Sequence, residues 1–274
     1  MRTLLMGALA MLGFASARSG GPDTAFVVSP AFTVVYVVNR AADHERLVAA
    51  LADSLDDFGF VASVLDDPRC SIDSAVLRWE PQYQGYDELI TDSSVVYGRW
   101  YLNAHRAFLD SLSVVNGIPP ELYVSQYRFE TNFGRYQGMF RVIPALYTWY
   151  AVAKVEQSKR RPLRSRSFWR RELAAALRLA RNGIIDLFTT PSSRKGAFGL
   201  TQFMPSQYHL ARDGDGDGVV NLFNEHDALV SAGNHLLANG WSTNRRSQFQ
   251  ALRRYNRGAY GRAVLRYAAL IAKP

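Results

Sequence analysis

Glu130 lies where local helix physics would not place a carboxylate. Its segment begins Gly117-Ile118-Pro119-Pro120-Glu121, and paired prolines are typical of the first turn of a helix. Gly134 is a typical helix stop, so Glu130 falls in the last turn, where the negative end of the helix dipole disfavours an anion. Tyr123 and Tyr127 share its helix face. The rings and the helix end both favour the protonated acid, which is the form that a general acid needs.

An ordinary salt bridge is the alternative for Glu130. Most glutamates are solvated or paired with a cation, and Arg135 is close in the sequence. A residue that breaks a local rule is nevertheless expected at a functional or strained site. We therefore predict that Glu130 is a catalytic acid with no cation beside it.

A second segment, Gly196-Ala197-Phe198-Gly199-Leu200-Thr201-Gln202-Phe203-Met204-Pro205, combines flexible glycines, an amide side chain and a Met-Pro stop. Together with Glu130-Thr131-Asn132-Phe133-Gly134, it resembles the lytic murein transglycosylase B family. The resemblance runs from about Gly98 to Trp241. It implies a mostly α fold: a lysozyme-like core with an embedded EF-hand-like calcium loop and small irregular or β elements.

The resemblance also implies roles for single residues. Glu130 matches the catalytic acid of the family, and Gln202 and Phe203 match residues that bind the substrate. By ungapped extension from Gln202, Ser193 falls where the family has a serine near the acid, although it could be a plain loop hydroxyl. These assignments predict a groove for alternating N-acetylglucosamine and N-acetylmuramic acid.

Tyrosines complete the predicted groove. Tyr255-Asn256 followed by Tyr260 resembles a Tyr-Asn…Tyr stretch that lines the groove in the family, with a spacing one residue shorter here. Tyrosines at helical spacing are also common in protein cores, which is the alternative for both. Tyr83 and Tyr86 each lie near a further groove tyrosine of the family, and the sequence leaves that choice open.

An acidic loop has the spacing of a calcium site. Carboxylates occupy loop positions 1, 3 and 5 and a glycine occupies position 6, as in an EF-hand, but position 12 is Asn224 instead of glutamate. The resemblance implies that Asp227 replaces that glutamate. The predicted ligands of a structural Ca²⁺ are Asp213, Asp215, Asp217, the Val219 carbonyl and Asp227. An acidic turn without metal is the alternative.

The mechanism that the resemblance implies is non-hydrolytic. Glu130 would protonate the leaving oxygen of the β-1,4 bond after N-acetylmuramic acid and then accept a proton from the 6-hydroxyl, which closes a 1,6-anhydro ring. No second acid stands beside the Glu130 motif. The alternatives are a hydrolytic muramidase of the same fold, a non-catalytic peptidoglycan-binding protein, and a calcium-regulated binding module.

The N-terminus predicts export. Arg2, the apolar run from Thr3 to Phe14 and Ala15-Ser16-Ala17 are typical of a signal peptide cleaved after residue 17. The run is too short to span a membrane and no cysteine follows it, so we expect a periplasmic or secreted monomer without a transmembrane segment or lipid anchor. We predict an N-terminal extended and helical region at 18–97 and a catalytic region at 98–274, with the calcium loop at 213–227.

Composition adds further limits. The chain has 274 residues, 48% of them hydrophobic, and a single cysteine, Cys70, which excludes an intrachain disulfide and is expected to be buried. The net charge of +8 favours adsorption to an anionic cell envelope, and no motif predicts a nucleic-acid partner. The basic tract 159–166 is predicted to be a solvated loop, with wall contact as the alternative.

Apolar periodicity predicts the remaining elements. Besides the Glu130 helix, helices are predicted over 43–58, 98–115, 142–156, 168–182, 227–239 and 247–272, and short strands over 26–28 and 33–38.

Overall fold

The computed structural model describes residues 24–28, 35–78, 85–153 and 165–273, and this part of the chain is mostly helical. The α-helices are α1 (Arg40–Leu55), α2 (Phe58–Leu65), α3 (Ser74–Arg78), α4 (Asp92–Ala104), α5 (Arg106–Asn116), α6 (Pro120–Thr131), α7 (Val142–Val152), α8 (Arg166–Arg181), α9 (Glu225–Ala238), α10 (Arg245–Tyr255) and α11 (Tyr260–Ile271). Short 3-10 helices cover Tyr86–Leu89 and Pro205–Leu210.

Strands contribute two small antiparallel pairs. The first joins β1 (Thr24–Val28) to β2 (Val35–Asn39), and the second joins β3 (Phe140–Arg141) to β4 (Pro191–Ser192). The two predicted N-terminal strands are therefore confirmed within the described residues. The second pair matters more for the site, because it fixes the segment that leads from α8 into residues 196–205, which we call the glycine-rich loop.

The buried apolar side chains form two clusters. One lies among α1, α2, α3, α7 and α8, and the other among α4, α5, α6, α9, α10 and α11. The segment 198–203 belongs to both, since Phe198 and Phe203 pack into the first cluster and Leu200 into the second. Tyr255 packs against both clusters as well. The glycine-rich loop is thus held from two sides.

Helix α6 follows the local rules that its sequence suggested. Pro120 is its first residue, and Asn132, Phe133 and Gly134 after its end all have left-handed backbone angles, with φ of 50°, 58° and 76°. The chain therefore turns sharply directly after Thr131. This confirms that Glu130 lies in the last helical turn.

Each of two predicted helices is two helices in the structure, so the prediction that they are continuous was wrong. The predicted helix 98–115 is α4 and α5, which meet at His105 with no glycine or proline to mark the break. The predicted helix 247–272 is α10 and α11, separated by 256–259, where Gly258 has a φ of 75°. Because apolar spacing continues across both breaks, periodicity alone does not reveal them.

Other bounds differ by smaller amounts. The helix predicted over 43–58 is α1, which begins at Arg40 and ends at Leu55, and Phe58 is already the first residue of α2, which is capped by Asp57. Helices α8 and α9 each begin two residues before their predicted starts and end one residue before their predicted ends. The predicted boundary between residues 97 and 98 falls inside α4.

Some predictions fall on residues outside the described part. These are the signal peptide at 1–17, Tyr83, most of the basic tract 159–166 and the end of the predicted helix 142–156. Among the described helices, none has the length and apolar character needed to cross a membrane. Cys70 is buried, as predicted.

Candidate active site

The Glu130 side chain is partly buried and has no counter-ion among the described residues. Its Oε1 atom is inaccessible to solvent and has no hydrogen-bond partner, and no described cation lies within ion-pair distance. Arg135 instead places its guanidinium 4.8 Å from the centre of the Tyr97 ring. The ordinary salt bridge considered for Glu130 is therefore not formed with Arg135.

Burial changes the acidity of this carboxyl. Loss of hydration raises the pKa of Glu130 from 4.5 to about 8, and the nearby Tyr260 hydroxyl, which favours the anion, offsets part of that rise. Within the described part of the chain, no charged side chain contributes to this shift. At neutral pH the Glu130 carboxyl is consequently protonated in most molecules and can serve as a proton donor.

The rings that surround Glu130 differ from those suggested by helix periodicity. Tyr123 packs on Gly233 of α9, and Tyr127 donates a hydrogen bond to Glu225 over 3.3 Å. The Tyr260 hydroxyl at the start of α11 lowers the pKa of Glu130, and Glu130 in turn raises the pKa of Tyr255 at the end of α10. Desolvation was correctly predicted, and the hydroxyl that acts on the carboxyl comes from a helix distant in the sequence.

Hydrogen bonds join the end of α6 to the glycine-rich loop. The Thr131 hydroxyl donates to the Leu200 carbonyl over 2.7 Å, and the Tyr255 hydroxyl donates to the Thr201 carbonyl over 2.6 Å. Since Thr131 follows Glu130 and Tyr255 faces it, both bonds bring the second segment to the acid. The two segments singled out from the sequence therefore meet in the structure.

Gln202 adopts a strained backbone within that loop. Its φ is 54°, which is uncommon for a residue other than glycine. Its side-chain amide donates to the Gly199 carbonyl over 2.9 Å and to the Gln137 carbonyl over 3.3 Å. Gln202 thus ties its own loop to the turn that follows α6, and the bonds to two backbone carbonyls help to hold the unfavourable φ.

Comparison with known proteins agrees with this arrangement. Residues 71–263, which include Glu130, Gln202 and the tyrosines around the acid, match the Transglycosylase SLT domain. The chain belongs to this family. Over 155 residues it is 36% identical to membrane-bound lytic murein transglycosylase B of Escherichia coli K12, an alignment that covers 56% of this chain and only 40% of that protein.

Solved structures share the fold of the SLT domain. The chain resembles the E. coli lytic transglycosylase Slt35 in complex with bulgecin A, with a TM-score of 0.70 and 22% identity over 85% of this chain and 94% of that one. It also resembles soluble lytic transglycosylase SltB1 from Pseudomonas aeruginosa, with a TM-score of 0.67 and 24% identity over 83% of this chain and 98% of that one. The mostly helical, lysozyme-like fold is therefore shown.

Ser193 of the SLT domain organises a turn. Its hydroxyl accepts the backbone N–H of Ala197 over 3.2 Å, and its own N–H donates to the Ala197 carbonyl over 2.8 Å. A β-carbon on Gly138, whose φ is 110°, would overlap the backbone carbonyl of Ser192. The turn after α6 and the loop that carries Ser193 therefore touch through their backbones.

Phe203 and Tyr260 lie deeper than predicted. Phe203 is 1% exposed and exchanges two backbone hydrogen bonds with Phe198, so it packs behind the site and its predicted contact with substrate does not fit its burial. Tyr260 is fully buried, and it faces the Glu130 carboxyl instead of an open groove. Apolar spacing could have indicated both placements, because each residue lies among core positions.

The sequence left the choice between Tyr83 and Tyr86 open; of the two, the structure describes Tyr86, which contacts residues of the site. Its hydroxyl accepts a hydrogen bond from the Asn256 amide over 3.1 Å, and its ring centre is 5.5 Å from that of Tyr260. Tyr255 lies parallel to Tyr260, with ring centres 6.1 Å apart. These contacts place the Tyr255-Asn256 and Tyr260 stretch around Glu130.

Gln126 was not singled out from the sequence. It lies one helical turn before Glu130, it is fully buried, and neither atom of its side-chain amide has a hydrogen-bond partner. Gln126 lowers the pKa of the Tyr260 hydroxyl. A glutamine inside a helix breaks no local rule, so no sequence pattern marks it.

The acidic loop brings three of the five predicted calcium ligands together. Carboxylate oxygens of Asp213, Asp215 and Asp227 lie within 4.8 Å of one another. The Asp217 carboxylate is outside this group and accepts the N–H of Val219 over 2.7 Å.

The remaining contacts of this loop explain its sequence. Asp227 is 1% exposed and accepts backbone N–H groups from Gly214 and Asn221, each over 2.7 Å. Asn224 accepts the N–H of His226 over 2.8 Å and thereby caps α9, so it is used for capping at the position where an EF-hand has glutamate. The group of Asp213, Asp215 and Asp227 offers hard oxygen donors of the kind that suits Ca²⁺.

Proposed function

We propose that the chain is a lytic transglycosylase of peptidoglycan. It would cleave the β-1,4 bond between N-acetylmuramic acid and N-acetylglucosamine and form 1,6-anhydro-N-acetylmuramic acid. The observation that carries this proposal is the partly buried Glu130 side chain, which has one carboxyl oxygen shielded from solvent, no counter-ion among the described residues and a pKa raised to about 8. Membership of the SLT domain family supports the substrate class.

A single carboxyl performs two proton transfers in this proposal. Protonated Glu130 donates to the leaving glycosidic oxygen as the bond breaks, and the N-acetyl group of the substrate stabilises the positive charge that develops at the sugar carbon. The Glu130 carboxylate then accepts the proton of the 6-hydroxyl, whose oxygen attacks that carbon and closes the anhydro ring. The acid is regenerated, and neither water nor a cofactor is consumed.

The pKa of Glu130 suits both steps. A general acid and base works best when its pKa is near the ambient pH, because it can then both lose and regain the proton. Ordinary glycosidases share these tasks between two carboxylates about 5 to 9.5 Å apart. Glu225, a nearby acid, is engaged by the hydroxyls of Tyr101 and Tyr127, and neither Glu225 nor any other carboxylate contributes to the shift of Glu130.

The other predicted site residues receive supporting roles. We propose that Gln202 and Ser193 shape the backbone that faces the substrate and that Tyr255 fixes the same loop through its bond to Thr201. A complex of P. aeruginosa SltB3 with a NAG-NAM-pentapeptide shows that a relative of this fold binds such a fragment. Glycan strands of peptidoglycan are accordingly the proposed partner, at a periplasmic or secreted location.

The acidic loop is proposed to hold a structural calcium ion. E. coli Slt35 has been solved in complex with calcium. Here Asp213, Asp215 and Asp227 would supply the first ligands, and Asp217 and the Val219 carbonyl would join them after a small loop adjustment. Without a cation, three carboxylates at this spacing repel one another.

The decisive experiment is product analysis on purified peptidoglycan. Mass spectrometry should find fragments that end in 1,6-anhydro-N-acetylmuramic acid, and Glu130→Gln should abolish their release while the circular dichroism spectrum stays unchanged. Reducing ends would instead identify a hydrolytic muramidase. Binding to peptidoglycan with no release of fragments would identify a non-catalytic binding protein.

A further inference from the structure

Four polar atoms around Glu130 are buried without a hydrogen-bond partner. They are Oε1 of Glu130, the hydroxyl of Tyr260, and both the amide nitrogen and oxygen of Gln126. Burying an amide or hydroxyl without a partner is unfavourable, so such groups call for an explanation. Their grouping around one carboxyl indicates that the explanation is shared.

The backbone places these three side chains together. Gln126 and Glu130 are one turn apart on α6 and therefore lie on the same helix face. Helix α11, which begins at Tyr260, packs along α6, and the Ser125 hydroxyl donates to the Val264 carbonyl over 2.7 Å to fix that packing. The Tyr260 hydroxyl thereby faces both the amide and the carboxyl.

The chemistry of the three groups sets one order of donation. A hydroxyl has one proton, and a carboxylate can only accept, so Tyr260 must donate to ionised Glu130. The Gln126 amide nitrogen can then donate to the oxygen of Tyr260. The pKa shifts agree with this order of donation. Gln126 lowers the pKa of Tyr260 and Glu130 raises it, while Tyr260 lowers the pKa of Glu130.

We propose that Gln126 is a positioning residue that holds the Tyr260 hydroxyl with its proton toward Glu130. The hydroxyl donates to the carboxylate at the moment when Glu130 has given its own proton to the leaving group. The two bonds would close when that charge appears, which accounts for their open geometry around the protonated acid. This inference rests on the proposed function for its role in catalysis, whereas its physical content is the acidity of Glu130.

The other titratable groups that face Glu130 do not offer the same effect. Tyr255 of α10 donates to the Thr201 carbonyl, so its proton is already engaged. Tyr86 of the 3-10 helix packs edge-to-face against Tyr260, and its hydroxyl accepts a hydrogen bond from Asn256. Among these hydroxyls, only that of Tyr260 lowers the pKa of Glu130, and Gln126 is the group that can direct its proton.

The test compares Gln126→Met with Ser125→Ala. Methionine has a volume close to that of glutamine but cannot donate a hydrogen bond. Ser125→Ala removes a buried hydrogen bond between the same two helices and leaves Gln126, Tyr260 and Glu130 unchanged. The pKa of Glu130 is read by ¹³C NMR of carboxyl-labelled glutamate, with Glu130→Gln to assign the signal. The pH profile of kcat/KM on purified peptidoglycan is the second readout.

In Gln126→Met the Tyr260 hydroxyl is no longer held toward the Glu130 carboxylate, so the ionised form is less stable. The pKa of Glu130 should therefore rise by about 0.5 to 1 pH unit, the value of one hydrogen bond. The alkaline limb of the pH profile should move up with it, and kcat should fall about three- to tenfold with little change in KM. Ser125→Ala should lower the melting temperature and leave the pKa of Glu130 in place. In a Tyr260→Phe background, Gln126→Met should have no further effect on that pKa.

An unchanged pKa in folded Gln126→Met would overturn the proposal, and so would an equal shift in Ser125→Ala. If Gln126→Met does not fold, Gln126→Asn replaces it, since the amide is kept but its reach is one methylene shorter; the same upward shift is expected and its absence is equally contrary. If wild-type protein releases no fragments, the proposed function fails, and the NMR titration still decides the role of Gln126.

Discussion

The proton held by Glu130 should be visible as a stability difference in the variant Glu130→Gln. Glutamine has almost the same shape and is neutral in both the folded and the unfolded chain. In the wild type, the pKa of this carboxyl is 4.5 in the unfolded reference and about 8 in the folded protein. The variant therefore removes one ionisation that folding opposes.

The sign and size of the effect follow from this shift. Because the folded-state pKa is raised, wild-type stability from this group is complete below pH 4.5 and is lost progressively as the pH rises toward 8. At pH 7 the unfolded chain is ionised and the folded chain is not, which costs the wild type up to about 3 kcal/mol relative to the variant. The difference should be largest above pH 8 and vanish near pH 4.5.

Urea unfolding of both proteins between pH 4.5 and pH 8.5 measures this difference directly. The control is Glu45→Gln, which neutralises an exposed glutamate of α1. If Glu130→Gln is no more stable than the wild type at pH 7, or if its advantage is the same at every pH, then Glu130 is not held protonated and the catalytic role proposed for it fails.

Three further predictions concern a glycine beside the site, the acidic loop and the buried cysteine. Gly138→Ala should cost about 2 kcal/mol or more in thermal unfolding and reduce activity, because of its φ of 110° and its contact with Ser192, whereas Gly117→Ala, which has open space, should cost only about 1 kcal/mol. Asp227→Asn should weaken calcium binding at least about tenfold in calorimetry and remove the chelator-dependent shift of the melting temperature; a flat titration of wild-type protein would contradict the site. Burial raises the pKa of the Cys70 thiol to about 12, so it should react with Ellman's reagent at pH 8 only after denaturation, and rapid labelling of native protein would be contrary.

Local chemistry was sufficient to predict the position of Glu130. Proline fixes the start of α6 and a left-handed turn fixes its end, and both rules act within a few residues. The carboxyl therefore had to lie in the last turn whatever the tertiary structure. Family motifs added the pairing of this turn with the segment around Gln202.

The surroundings of Glu130 could not be obtained in the same way. The rings of Tyr255 and Tyr260 reach it because α10 and α11 fold back over α6, and the break between those helices was hidden by continuous apolar spacing. Gln126 was hidden for a different reason, since its importance depends on the absence of a partner after folding. Long-range packing and unsatisfied polar groups are both properties of the assembled chain.

The position of Glu130 between the two apolar clusters explains how one of its carboxyl oxygens is shielded from water while the side chain stays partly exposed. Glu130 lies on α6 within the second cluster, while the loop that approaches it is anchored in the first cluster by Phe198 and Phe203. The polar bonds between them, from Thr131 and Tyr255, end on backbone carbonyls and place no cation near the carboxyl. Hydrogen bonds to the backbone thus join the two halves of the site without lowering the pKa of the acid, as an arginine in the same place would do.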